Sequence, residues 1–172
     1  MSETIDPRIT EFCAKLARLD AGDKARLKRN AGNTLAESRR VSGLFLNHLR
    51  PHDLPRYQEW AYFLVATLYP LNSDGSGQGS LGTALRTVRP ADEKKAKSLD
   101  RRFEILLDSD KAHLHFRLRQ MVKFLYSKRV SINWPLFLKH LLAWNSEKRW
   151  VQERWARDYF VGSKKKSEDT TS

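Results

Sequence analysis

From Lys111 to Ser146 the chain contains no aspartate or glutamate, yet seven basic residues fall there: Lys111, Arg117, Arg119, Lys123, Lys128, Arg129 and Lys139. The stretch is no solvated tail. It is rich in Leu, Phe and Trp, and Leu114, Leu118, Met121, Val122 and Leu125 recur at helical spacing. The segment must therefore fold as packed helix. A folded element whose charges share one sign repels itself unless something negative lies against it. A nucleic-acid backbone is the counterpart that fits best.

The rest of the chain reads as helix too. The spacing of Ile9, Phe12, Leu16 and Leu19 predicts a helix over 5–19. Further helices are expected over 24–31, with Asp23 as cap, and over 38–49, stopped by Pro51. Leu54–Tyr69 is apolar nearly all round and is expected at the centre. Helices over 81–88, 91–107, 110–127, 134–144 and 147–160 complete the pattern, with Pro135 at an early position where its missing N–H does no harm. No stretch sustains the alternation of a strand, and no internal repeat is evident. The expectation is an all-α fold of eight or nine helices in two small bundles. A Gly- and Ser-rich connector at 72–80 marks the seam, giving an N-terminal lobe over 1–78 and a C-terminal lobe over 79–161. Residues 162–172, with Lys164–Lys166, are expected to be a disordered polar tail.

Composition narrows the partners. Among 172 residues, 32 Lys and Arg stand against 20 Asp and Glu, a formal charge of +12 with a pI near 10.0. The charge is clustered: between Lys24 and His52 there are seven basic residues and one acid, Glu37. Solvated helix faces usually mix both signs, so each lobe offers one positive segment. Arg119 and Lys123 are four apart and project together opposite the leucine stripe, as do Lys24 and Lys28; Arg26 and Arg29 share a face at spacing three. Cys13 is the single cysteine, so no intrachain disulfide and no Cys-based metal site can form, and a small buried thiol is expected. The N-terminus lacks the pattern of a signal peptide, and no apolar run approaches the roughly 18–20 residues of a membrane span. A cytoplasmic protein without membrane partners is the expectation.

Candidate chemistry is sparse. Gly75, Gly77, Gly79 and Gly82 lack the Lys and the preceding strand of a phosphate loop, and read as a flexible connector. A weaker option places backbone N–H groups near Gly82 against a phosphate. His113 and His115 point about 200° apart on a helix and cannot share a metal. Asp108 and Asp110 read as the end of one helix and the cap of the next. No nucleophile motif is present, so no catalytic residue, cofactor or metal is assigned. Trp134, Trp144 and Trp155 fall on apolar faces and read as core; Trp150, between Arg149 and Val151, is the candidate for stacking on bases.

Four blocks carry a family resemblance: Leu16-Ala-Arg-Leu-Asp-Ala-Gly-Asp-Lys-Ala-Arg-Leu-Lys-Arg29; Gly79-Ser-Leu-Gly-Thr-Ala-Leu-Arg86; Asp100-Arg-Arg-Phe-Glu-Ile-Leu-Leu107 followed by Leu118-Arg119; and Ile132-Asn-Trp-Pro-Leu136 through Leu142-Ala-Trp144, closed by Trp155-Ala-Arg-Asp-Tyr-Phe160. In this order and spacing they resemble the CasB family, the small subunit of the type I-E CRISPR surveillance complex Cascade. The resemblance runs over residues 16–160 and contains no catalytic signature. It implies an all-helical, non-enzymatic subunit present in two copies, in contact with the backbone and large subunits. Its basic surfaces would lie against the nucleic acids of the R-loop, the guide CRISPR RNA and the target and displaced DNA strands, while guide pairing supplies sequence specificity. Position in the blocks singles out Lys28 and Arg29, then Arg101, Arg102 and Arg119. Lys24, Arg26, Lys123, Lys128 and Arg129 join them on charge. From the loop only Gly79 and Gly82 carry over.

Two other readings differ in class. A stand-alone helical DNA-binding regulator needs an exposed recognition helix, and segment 111–129 is too apolar to lie free. A nuclease would need Asp108 and Asp110 to hold Mg²⁺.

Overall fold

A computed structural model describes residues 3–162. From residue 163 onward the expected polar tail lies outside the described residues. Nine α-helices and no strand are present among the described residues: α1 (Pro7–Ala17), α2 (Ala21–Arg29), α3 (Arg39–Leu44), α4 (Glu59–Leu68), α5 (Leu81–Arg86), α6 (Glu93–Leu107), α7 (Lys111–Ser127), α8 (Trp134–Leu142) and α9 (Trp150–Phe160). No helix among them is long and apolar enough to cross a membrane.

Short polar side chains set the helix starts. Asp6, Asp20, Ser80, Asp92, Asp110 and Asn133 each accept a backbone N–H of the first turn of α1, α2, α5, α6, α7 and α8. The cap of α2 differs from expectation: Asp20 accepts from the Asp23 N–H at 2.8 Å, so the helix begins at Ala21 and Asp23 lies inside its first turn. Asp108 closes α6 and Asp110 opens α7, as expected of this pair. The expected helix over 38–49 divides. After Leu44 it widens into a π turn, Phe45–Leu49, closed by the Arg50 N–H on the Phe45 carbonyl at 2.7 Å. Arg50 then turns extended, as a residue before proline must.

Helix α4 is central, with every residue from Ala61 to Leu68 buried. Its Tyr62 meets Phe12 edge-on at 4.9 Å and its Phe63 meets Phe45 at 5.2 Å. Helix α8 packs on both α1 and α4, and one hydrophobic core runs from Ile9 to Tyr159. Trp134, Trp144 and Trp155 lie inside it, and each indole N–H finds an acceptor: the carbonyls of Asn72 and Ser109, and His140 Nδ1.

The glycine-rich segment is pinned and is not a free connector. The Asn72 side chain donates to the Val130 carbonyl at 2.9 Å, and Ser131 Oγ donates to Asp74 at 2.6 Å. A Cβ on Gly77 would stand 2.5 Å from the Ile132 carbonyl carbon. Gly82 is buried where α5 crosses α9, with the Trp155 carbonyl oxygen 2.2 Å from the place a Cβ would take. Its backbone is therefore closed to a phosphate, and the glycine serves helix contact.

His140 is fully buried on α8. Trp155 Nε1, which can only donate, bonds its Nδ1 at 2.9 Å, so the neutral ring carries its proton on Nε2. That atom has no hydrogen-bond partner and lies 3.7 Å from Glu3 Oε1. Burial pushes the imidazole pKa down to about 4, aided by Arg154 and Lys139 and opposed by Glu3 and Asp158. Between about pH 6.5 and pH 4 the unfolded chain binds a proton that the folded chain refuses, so stability falls with acid across that window. His140 alone is expected to account for a loss of about 3 kcal/mol there. His140→Asn keeps an acceptor near the indole but cannot titrate, so it should flatten the profile between pH 6.5 and 4. Urea unfolding at a series of pH values checks this, and an equally steep loss in the variant contradicts it.

Candidate nucleic-acid interface

The first basic segment sorts into free and committed cations. On α2, Lys28 and Arg29 are exposed and make no side-chain hydrogen bond or ion pair among the described residues. Lys24 is half-buried and donates to the Ala17 carbonyl at 3.3 Å. Arg26 pairs with Asp23 at 3.2 Å and donates to the Arg40 carbonyl at 2.5 Å, tying α2 to the start of α3. These two cations shape the surface more than they offer charge to a partner. The tie has a second effect: Arg40 and Arg29 come to line one depression, together with Arg26, Asn30 and Val41. Arg40 was not among the sequence candidates. Its signal was the Arg39-Arg40 pair inside the acid-poor run; the turn that brings it to Arg29 was not readable.

The second segment meets the first. The chain leaves α2 through Gly32 at φ +83°, a conformation that favours glycine. The open side of Gly32 is filled by Arg119 of α7, whose Cδ and Cβ lie 3.1 and 3.3 Å from the place a Cβ would take. Arg119 thus packs its stem on the turn that follows α2; it is half-buried and makes no side-chain hydrogen bond or ion pair among the described residues. Lys123 is exposed one turn further along α7, opposite the buried stripe of Leu114, Leu118, Met121, Val122 and Leu125. So α7, with Arg119 and Lys123, meets the turn that follows α2, with Lys28 and Arg29, while Arg40 of α3 joins α2 separately through the Arg26 tie.

A smaller cluster forms between α6 and α7. The Arg102 guanidinium sits 5.1 Å from the centre of the Phe124 ring and Lys128 Nζ lies 5.7 Å from it, so one half-buried ring gathers two of the expected cations. Arg101 is exposed on α6 without joining either cluster. Arg129 is exposed in the left-handed conformation, φ 60°, just past α7. Arg117 is committed, donating to Ser109 Oγ at 2.8 Å. Trp150 is half-exposed and meets His140 edge-on at 5.7 Å, unlike the three buried tryptophans.

Two acids that flank the α6 and α7 cations, Asp100 and Asp110, are occupied elsewhere. Asp100 takes both Arg89 nitrogens at 2.9 Å and the Tyr159 hydroxyl at 2.6 Å, and those hydrogen bonds hold its carboxyl below the usual range. Asp110 is engaged by His113, whose ring and backbone N–H both bond it. No group of three or more His, Cys, Asp or Glu among the described residues could hold a metal ion. The arrangement suits sequence-independent contact with phosphates.

Known proteins are similar to this chain in sequence and fold. The family model of CRISPR-associated protein Cse2 matches residues 23–160. A CRISPR-associated protein Cse2 of Thermus thermophilus is 36% identical over 108 residues, and the match spans 63% of this chain and 60% of that relative's length. The crystal structure of M. ruber CasB superposes with a TM-score of 0.73 at 29% identity, covering 97% of this chain and 99% of the other. That of a Cse2-family protein from Thermus thermophilus gives 0.72 at 30% identity, covering 89% and 96%. A chain of a CRISPR RNA-guided surveillance complex shares the fold, with a TM-score of 0.73 at 20% identity over 88% of this chain and 91% of that one. The chain belongs to the Cse2 family of CRISPR-associated proteins.

Proposed function

We propose that this chain is the small, non-catalytic subunit of an RNA-guided CRISPR surveillance complex of the type I-E Cascade kind. In this reading it works in the cytoplasm as one of two copies, held by the backbone and large subunits, and it lays its basic surface along nucleic-acid backbone. There it steadies the R-loop, in which guide RNA pairs with target DNA and the other DNA strand is displaced. Base pairing reads the sequence; the protein supplies charge and shape.

The carrying observation is the meeting of the two basic segments at Gly32, where Arg119 covers the glycine that follows α2. In this reading Lys28, Arg29 and Arg40 on one side of that junction and Arg119 and Lys123 on the other serve one nucleic-acid track. Family membership and the fold shared with a surveillance-complex chain support the assembly.

Gentle purification of the tagged chain from its host tests the reading. Several other subunits and short RNAs flanked by CRISPR repeat sequence are expected to come with it. Recovery of the chain alone, or bound to one genomic promoter, contradicts it and favours a stand-alone regulator.

A further inference from the structure

Four side chains follow one another on α7 at spacings of three, four and three: Phe116, Arg119, Lys123 and Tyr126. At about 100° per residue they fall within about 80° of helix surface, and at 1.5 Å per residue the stripe is about 15 Å long. It lies away from the buried leucine stripe of the same helix. Phe116 is 58% exposed and Tyr126 64%. None of the four makes a side-chain hydrogen bond or ion pair among the described residues, and no acid interrupts the chain from 111 to 146.

The order ring, cation, cation, ring narrows the ligand. Phosphates alone need no exposed rings. An apolar protein partner needs no unpaired cations between the rings, and desolvating them would cost it. Single-stranded nucleic acid offers both base faces and phosphates within one short length, and its binders combine stacking rings with a basic track. Duplex bases are already stacked and hidden. Beyond Phe116 the stripe opens into a groove of about 940 Å³ whose lining includes Tyr57, Trp60 and Lys111, with Lys111 Nζ 4.9 Å from the Trp60 ring centre, and two acids that are already engaged, Glu37 by the Thr34 N–H and Glu59 by Arg50.

We infer that the outer stripe of α7 is a stacking platform for unpaired bases, with Phe116 and Tyr126 taking base faces while Arg119 and Lys123 hold the phosphates between them. The inference rests on the nucleic-acid reading above and adds to it the rings that hold an unpaired strand by its bases.

The test uses the full chain with a fluorescent polydeoxythymidine strand of about 20 nucleotides and a blunt duplex, followed by anisotropy across a salt series starting near 50 mM. The variant F116L/Y126L keeps apolar bulk but removes the rings. It should bind the single strand at least about tenfold more weakly. Its duplex affinity should stay within about twofold, and its log–log salt slope should not move, because no phosphate contact is lost. The variant R119E/K123E should weaken both ligands and flatten both slopes. If R119E/K123E loses affinity while F116L/Y126L does not, the inference falls and the nucleic-acid reading stands. If the wild-type chain binds neither oligonucleotide, both fall. If F116L/Y126L binds the strand normally but no longer copurifies with other subunits, the stripe is a protein docking face and the inference is overturned.

Discussion

Replacing Gly82 by alanine is expected to lower the midpoint of thermal unfolding by about 10 °C. The added methyl lands 2.2 Å from the Trp155 carbonyl oxygen and 3.0 Å from its carbonyl carbon. Both obstacles are backbone of α9, so no side chain can rotate away, and α5 and α9 must separate. That junction also carries Ser80 Oγ on Asp158 at 2.6 Å and the Arg86 guanidinium on the Tyr159 carbonyl at 2.8 Å, which move with it. Overpacking typically costs about 1–3 kcal/mol, and an unyielding backbone clash sits at the upper end. A chain of this size shifts by about 2–4 °C per kcal/mol. Gly43→Ala is the control. Gly43 lies in α3 and its nearest neighbour is the Asn47 side chain at 4.0 Å. An alanine there should be neutral or stabilising by up to about 1 kcal/mol. Calorimetry on the two variants checks the contrast, and a G82A chain that melts with the wild type contradicts the close crossing.

Much of this fold was legible because its signals are local. Helical periodicity and the breaks at Pro and Gly located most of the helices within a few residues, and Leu54–Tyr69 declared its central place by being apolar on nearly all sides. Errors arose where two neighbouring groups compete. Asp20 and Asp23 are both competent caps, and the choice depends on how α1 ends at Arg18. The π turn at 45–49 has no local signature, since Phe45 and Leu49 are both buried once the helix widens.

The site was legible as charge and illegible as geometry. The acid-poor run named Lys24, Arg26, Lys28 and Arg29 alike, and only the family resemblance set Lys28 and Arg29 apart. That Arg26 and Lys24 spend their charge on neighbouring groups depends on carbonyls of other turns, at Arg40 and Ala17. The meeting of Gly32 with Arg119 joins positions far apart in sequence through one positive φ, and a glycine in the sequence does not say what fills the space it leaves. The glycines at 77 and 82 carry the same lesson: composition reads as looseness where the structure has close backbone contact.

If the surface around Lys28 and Arg29 holds nucleic acid by its backbone, reversing the charge of these two residues should loosen that hold. Both residues are exposed at the end of α2 and carry no side-chain hydrogen bond among the described residues, so Lys28→Glu with Arg29→Glu leaves the core untouched. Each phosphate contact contributes about 0.9 to the log–log salt slope on duplex DNA. Losing two should flatten the slope by roughly two and weaken binding at least about tenfold near 0.1 M salt, with repulsion from the new carboxylates adding to the loss. The measurement is DNA retention across a salt series by the complex carrying the double variant, with its melting temperature recorded beside it. An unchanged melting temperature with weaker, less salt-sensitive retention is the predicted result. Unchanged affinity and slope in a folded, assembled variant would contradict the account.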